Sequence, residues 1–435
     1  MTLSTPRPCV LVVGGGFGGL RVAQALADAP VDVLLVDRRN HHLFQPLLYQ
    51  VATAGLSPAD IARPIRSVLR GQDNATVLLD TVESIDLAGR RVVLTGQGEL
   101  AFDWLVLAAG AGHAYFGHDD WAEHAPGLKT VEDALDIRRR VLLAYEAAEY
   151  EDDPDQRRQR LTFVVVGGGP TGVEMAGALR EVASESIPAD FRRVDTTTAR
   201  VIVVEGAARL LPTMSEKASA IALESLRKMG VEVRLNTFVT HIDAEGVHLG
   251  EEQLAASNVI WAAGVKASSL GGTLGVSLDR AGRVVVEPDC SVPGHPQVFV
   301  IGDMAAQMDA NTNTPVPGVA QGALQMGDFV AAIVSDSVRG KSRPRGAFGY
   351  RDKGSLATIG RAKAVADVFG TTLGGLTAWL LWSGVHVAFL VGFRNKVFVM
   401  LSWAWSYIRN ARGARLITGP PPKAPRGLGS GPKRG

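Results

Sequence analysis

The chain carries one turn-forming phrase twice. Residues 10–20 read VLVVGGGFGGL and residues 163–173 read FVVVGGGPTGV, so an apolar, β-branched run feeds a glycine-rich turn in each. The spacings are Gly14-x-Gly16-x-x-Gly19, with Gly18 between, and Gly167-x-Gly169-x-x-Gly172. In such a phrase the first glycine makes a tight strand-to-helix turn and the second lets backbone approach a pyrophosphate. The third admits close helix–strand packing. The helix that follows turns free N–H groups and the positive end of its dipole toward the phosphates. One match is weakly informative. Two, each behind a strand, predict two dinucleotide cradles on one polypeptide.

The duplication extends past these turns. DWLVLAAG (103–110) returns as NVIWAAG (258–264). Gly14 and Gly167 are 153 positions apart and Gly110 and Gly264 are 154 apart, an agreement that indicates two related βαβ domains. Each second strand also ends on an acid, Asp37 in VDVLLVDR and Glu205 in RVIVVEG. A carboxylate there accepts hydrogen bonds from a ribose diol and repels a 2′-phosphate. That favours NADH over NADPH, although the nearby Arg209 weakens the preference. Two dinucleotides on one chain suggest a flavoprotein that takes hydride from a nicotinamide. No nucleophile–base pair is evident, and this chemistry needs none, because the cofactor performs the difficult step while the protein aligns and excludes water.

The 435 residues leave room for two or three domains with sizeable cores. A net charge of +1 gives no reason to propose nucleic-acid binding. Cys9 and Cys290 are the only cysteines and form no CxxC or CxxxxC pair, which excludes a dithiol relay and a disulfide scaffold. Cys9 opens the first apolar strand and reads as a small core residue. His41 and His42 have no acids or cysteines clustered with them, so no metal site is expected. The N-terminus runs into the first strand without a signal peptide, so the folded part is expected to sit in the cytosol.

Charge is uneven along the chain. After Asp367 no acid occurs, while nine Lys or Arg and four of the seven tryptophans (Trp379, Trp382, Trp403, Trp405) do. The apolar stretches 376–393 and 397–408 flank the basic turn Arg394-Asn395-Lys396. Tryptophan beside cations suits an anionic membrane interface. Gly384 and His386 interrupt the first stretch and the second is short for a span, so two helices lying in one leaflet fit better than a crossing. A true span and a subunit interface remain alternatives.

The fold expected is α/β, with two Rossmann-like dinucleotide-binding domains, the second inserted into the first, and a membrane-associating helical segment at the C-terminal end. Residues 1–127 open the first domain, 128–270 form the second, and 271–345 return to complete the first through GRVVVEPDCSVPGHPQVFVIGD (282–303). Residues 346–418 form the anchor region and 419–435 a disordered basic tail.

Several stretches resemble type II NADH dehydrogenases, the single-subunit NADH:quinone oxidoreductases: NHHLFQPLLYQVATAGLS (40–57), APGLKTVEDAL (125–135), VIWAAGVKAS (259–268), VFVIGDMA (298–305), PGVAQGALQMG (317–327) and GYRDKGSLATIGRAKAV (349–365). The resemblance covers about residues 8–410. It implies FAD in the first domain, NADH in the second, and reduction of a membrane quinone without proton pumping, on the cytoplasmic face of the inner membrane. Gly302 and Asp303 would then hold the FAD ribityl and phosphate region, although an Asp capping the next helix is compatible with the same place. Glu174, favourable near a helix N-terminus on simple dipole grounds, would sit beside the nicotinamide and the flavin. Gln321 and Gln325 share one helix face; as bare residues they read as solvated, and the resemblance makes them quinone ligands. Lys353, otherwise an ordinary surface lysine, would stabilise negative charge on reduced flavin or quinol. His41 and His42 would cover the flavin or serve structure, and His386 reads as a packed residue. A reductase of a protein electron carrier and a membrane-anchored flavin redox sensor are the alternatives, and whether two copies associate stays open.

Overall fold

The run Val10–Val13 has no polar side chain to present to water, and in the computed structural model it is buried as part of the strand Cys9–Val13, flanked on both edges by parallel neighbours. Such a strand belongs in the middle of a sheet covered on both faces. The structure describes residues 7–341, 344–409 and 413–419. The first sheet has the strand order Ser291–Val292, His295–Val300, Trp104–Leu107, Cys9–Val13, Asp32–Asp37, Ala75–Leu79. All its pairings are parallel except the short edge hairpin of Ser291–Val292 with His295–Val300.

The second sheet repeats the arrangement with Glu232–Arg234, Arg200–Val204, Thr162–Val166 and Asn258–Trp261, all parallel. His295–Val300 then pairs with Trp104–Leu107 of the first sheet, so the second domain is an insertion in the first. The helix Phe17–Ala25 behind the first glycine turn packs on Ala320–Val338. Glycine makes that approach feasible, since a Cβ on Gly327 would lie 2.9 Å from the Gly18 carbonyl oxygen. Cys9 is only half-buried at the mouth of its strand, less enclosed than a core position, whereas Cys290 is fully buried.

A three-stranded antiparallel sheet, Ser355–Gly360, Lys363–Val368 and Thr371–Gly374, follows. It lies against the helix Pro170–Glu181 behind the second glycine turn. The approach is so close that a Cβ on Gly177 would lie 1.7 Å from the Ile359 carbonyl oxygen.

Two helices, Gly375–Phe389 and Phe393–Arg409, close the described chain, separated where Leu390 turns extended and Gly392 takes φ +93°. Among the described residues no helix is long and apolar enough to cross a membrane. The helices dock through Ala378, Trp382 and Val399, while Leu376, Leu380, Met400 and Leu401 remain exposed. One expectation is thereby corrected: Trp382 does not face outward as an interfacial anchor but is 1% exposed and stacked on His386 at 4.3 Å. Its burial follows from sitting one helical turn from Ala378 on the docking stripe. The side chains of Arg394, Trp405 and Arg409, and the basic tail from residue 420 onward, lie outside the described residues.

Adding one methyl group at the helix–sheet contact should be felt globally. Gly177→Ala is expected to lower the thermal unfolding midpoint by several degrees, corresponding to about 2 kcal/mol or more of overpacking. Gly71→Ala, whose Cβ meets nothing within 4 Å, should leave it unchanged.

Candidate active site

Both glycine turns are built to the same plan. Gly14 has φ +103° and Gly167 φ +111°, a region open to glycine. A Cβ on Gly19 would lie 1.9 Å from the Gly14 oxygen and one on Gly172 1.8 Å from the Gly167 oxygen, so each helix rests directly on its own turn. By contrast, a Cβ on Gly16 or Gly169 would meet nothing within 4 Å, leaving open space above each helix N-terminus. That is the cradle a pyrophosphate needs.

The two acids also match. Asp37 accepts from the Gly15 amide at 2.6 Å and the Arg39 amide at 2.7 Å. Glu205 accepts from the Gly168 amide and, at 2.7 Å, from the Ala207 amide. Each carboxylate thus ties its strand end to its own glycine turn and keeps lone pairs for a ribose diol. Arg209 is held away from such a ligand: it donates to the Met214 oxygen at 2.7 Å, Ser219 Oγ at 2.9 Å and the Pro212 oxygen at 2.8 Å. Three of the five N–H donors of this arginine are thereby engaged within the second domain.

The first cradle opens into a cavity of about 830 Å³. Gly14, Gly16, Gly18, Asp37, Gly110, Gly302 and Asp303 line it, and it reaches Thr171 and Glu174 on the second-domain helix. His41 also lines it, with Nε2 buried and unpartnered. His42 serves the turn instead: it is buried, Nδ1 lies 3.0 Å from the Gly15 oxygen, and burial lowers its pKa. The volume, the open cradle and the diol-accepting acid fit an extended dinucleotide such as FAD. Neither cysteine lines the cavity, which agrees with the missing dithiol pair.

A second cavity of about 100 Å³ meets the first at Tyr49 and Glu174, which line both. Trp379, Trp382 and Trp403 form one wall, and Glu181, Glu185 and Arg361 line it too. Trp403 Nε1 donates to Gln50 Oε1 at 2.8 Å, and Gln50 Nε2 donates to the Tyr49 hydroxyl at 2.8 Å. Trp382 Nε1 is buried without a partner. These tryptophans, assigned from sequence to lipid, are the residues that sequence reasoning missed at the site; the four-residue spacing of Trp382 and His386 was the available signal. His386, pushed down to about 4 by burial, stays neutral and bonds the Trp382 oxygen at 2.7 Å, a packed residue as expected.

Glu174 is buried between the cavities, and burial pushes its carboxyl up to about 8 against a smaller opposing pull from the Thr358 amide, which donates at 3.4 Å. Burial thus favours its protonated form near neutral pH. Gln321, Gln325 and Lys353 come together with one another and line neither cavity. Gln321 donates to the Gly354 oxygen at 3.0 Å and accepts from the Lys353 amide at 3.3 Å. Gln325 donates to the Arg351 oxygen at 3.0 Å and accepts from its amide at 2.9 Å. Both amides pair with backbone of the segment leading into the C-terminal sheet. Among the described residues no group of three or more His, Cys, Asp or Glu is arranged to hold a metal.

The chain matches the family model for pyridine nucleotide-disulphide oxidoreductases over residues 8–327 and the NDH2 C-terminal domain over 353–410. It is 46% identical to the type II NADH:quinone oxidoreductase Ndh of Mycobacterium tuberculosis, over 95% of this chain and 90% of that protein. Identity to the type II NADH:quinone oxidoreductase NdhA of the same organism is 44%, over 96% and 92%. The solved structure of NDH2 from Plasmodium falciparum in complex with NADH superposes with a TM-score of 0.84 at 19% identity, over 92% of this chain and 98% of that one.

The raised Glu174 carboxyl makes a stability prediction. A group that holds its proton more tightly when folded contributes stability fully below its ordinary value of 4.5, lost as pH rises through about 8. Glu174→Gln, isosteric with the neutral acid, should therefore gain thermal stability relative to the parent from about pH 5 to about pH 9. A difference that stays constant over that range would mean the acid ionises normally.

Proposed function

The chain belongs to the type II NADH:quinone oxidoreductases, and on that premise we propose that FAD occupies the first cradle, NADH the second, and the quinone head the smaller cavity. The observation that carries this reading is the buried Glu174 carboxyl at the junction of the two cavities. When bound, the flavin supplies the two-electron chemistry that links nicotinamide to quinone.

The chain's own residues provide the rest. Gly14, Gly16, Gly18 and Gly19 cradle one pyrophosphate, and Gly167, Gly169 and Gly172 the other. Asp37 and Glu205 accept the ribose diols, and with Arg209 fixed elsewhere NADH is preferred to NADPH. Gly110, Gly302 and Asp303 complete the first site and Gly264 the second.

Reduction of a quinone to a quinol takes two protons with its two electrons. NADH brings one of these protons with its electron pair as hydride, and the other comes from solvent: Glu174, held neutral, gives it at the quinone oxygen and is reprotonated by water entering past the polar lining of Glu181, Glu185 and Arg361. The unpartnered Trp382 Nε1 offers a donor to a quinone carbonyl in the same cavity. Gln321 and Gln325 act as positioning residues that hold the Arg351–Gly354 backbone, and with it Lys353, beside the strand that carries Thr358.

The exposed apolar side chains of the two C-terminal helices lie in one leaflet as a monotopic anchor, and the quinone enters from that side. The anchor sits on the cytoplasmic face, where NADH is available. Both cavities and the carboxyl between them lie in the folded body, so the redox path uses no conduit across the bilayer and pumps no protons.

The test is steady-state oxidation of NADH by a soluble quinone analogue. The full chain should turn over rapidly with quinone and slowly with dioxygen, and Glu174→Gln should reduce quinone turnover about 100-fold while retaining flavin. Negligible quinone-dependent turnover by the parent protein would end this reading.

A further inference from the structure

The second cradle carries an aromatic ring that no step above uses. Phe238 is 72% exposed, while its neighbour Val239 packs inward against the core beneath the second sheet. Its position is specified by backbone. After the edge strand Glu232–Arg234 the chain runs beside the end of Arg200–Val204: the Glu205 amide donates to the Arg234 oxygen at 2.9 Å and the Thr237 amide to the Glu205 oxygen at 3.0 Å. The Asn236 amide donates to the Ala207 oxygen at 3.0 Å, with Asn236 turned into the left-handed region at φ +53°. These bonds deliver the phenyl ring to Gly206, immediately after the ribose acid. A Cβ on Gly206 would lie 2.6 Å from Phe238 Cε1, so only glycine lets the ring rest there.

Resting on the NADH reading above, we infer that Phe238 is the platform on which the adenine of NADH stacks. The covalent structure of the dinucleotide supplies the direction. Its pyrophosphate lies over the open space at Gly169, and Glu205 takes the diol of the adenosine ribose. Adenine, bonded to C1′ of that ribose, projects past Glu205 on the side away from the phosphates, where Gly206 and Phe238 stand. A scattered surface phenylalanine needs no explanation. This one is held by three backbone hydrogen bonds against a glycine that follows the ribose acid. A purine stacked on it covers an apolar face that water otherwise wets, and the ring adds grip without contacting the nicotinamide.

The test separates the two halves of the substrate. ADP-ribose carries adenine without nicotinamide, and reduced nicotinamide mononucleotide carries nicotinamide without adenine. For Phe238→Ala, calorimetric titration of the flavin-loaded protein should show the Kd for ADP-ribose rising about tenfold, as should the KM for NADH, with kcat unchanged. The KM for reduced nicotinamide mononucleotide should stay within about twofold, and Phe238→Trp should retain parental ADP-ribose affinity. An unchanged Kd for ADP-ribose in Phe238→Ala, or an equal loss for both half-substrates, overturns the assignment. A parent protein that neither oxidises NADH nor binds ADP-ribose contradicts the NADH reading itself, a different outcome.

Discussion

The contact between Gly177 and the Ile359 carbonyl sets the distance between the second-domain helix and the C-terminal sheet, and much of the site follows from it. The helix Pro170–Glu181 begins at a phosphate cradle, carries Glu174 in its second turn and ends against the strand Ser355–Gly360. Where the two elements meet, Glu174 is buried apart from the cavities it borders, with a single long bond from the Thr358 amide. A carboxylate in that setting would be costly, so the group keeps its proton. A looser contact would hydrate the acid and return it to ordinary behaviour.

The two cradles share turns, acids and helix seats, yet they sit in different surroundings. The first is closed over by the returning strand and by the helix Ala320–Val338, which together with the 40–57 segment enclose a large cavity. The second ends at an edge strand with an exposed phenyl ring beside its ribose acid. A covered cradle suits a resident cofactor, and an open one suits a nucleotide that arrives and leaves with every turnover. Duplication supplied one geometry twice, and the packing around each copy differentiates their use.

How much of this was legible in the sequence follows from where the information lies. The cradles were legible because Gly14, Gly19, Gly167 and Gly172 are required by backbone clashes inside a few residues. Asp37 and Glu205 stand at the ends of strands whose positions those turns fix, the duplication is legible in offsets of 153 and 154 positions between repeated motifs, and the insertion in the return segment 282–303. Side-chain direction over longer separations was not. Gln321 and Gln325 share a helix face, but their amides bond a segment some thirty residues on, which spacing along the helix does not reveal. Trp382 reads as an interfacial residue by composition, whereas the docking of its helix turns it into a cavity wall. Cys9, at a strand mouth, was placed deeper than it lies.

In the function proposed above, electrons enter through a nicotinamide site and leave to quinone across the shared wall at Glu174 and Tyr49. The most direct measurement is the visible flavin spectrum of the purified chain under anaerobic conditions, followed through one cycle. NADH should bleach the flavin bands, and a stoichiometric amount of quinone should restore them. Bleaching by NADH followed by no recovery with quinone, and recovery only with dioxygen or a protein electron carrier, would contradict the proposed function.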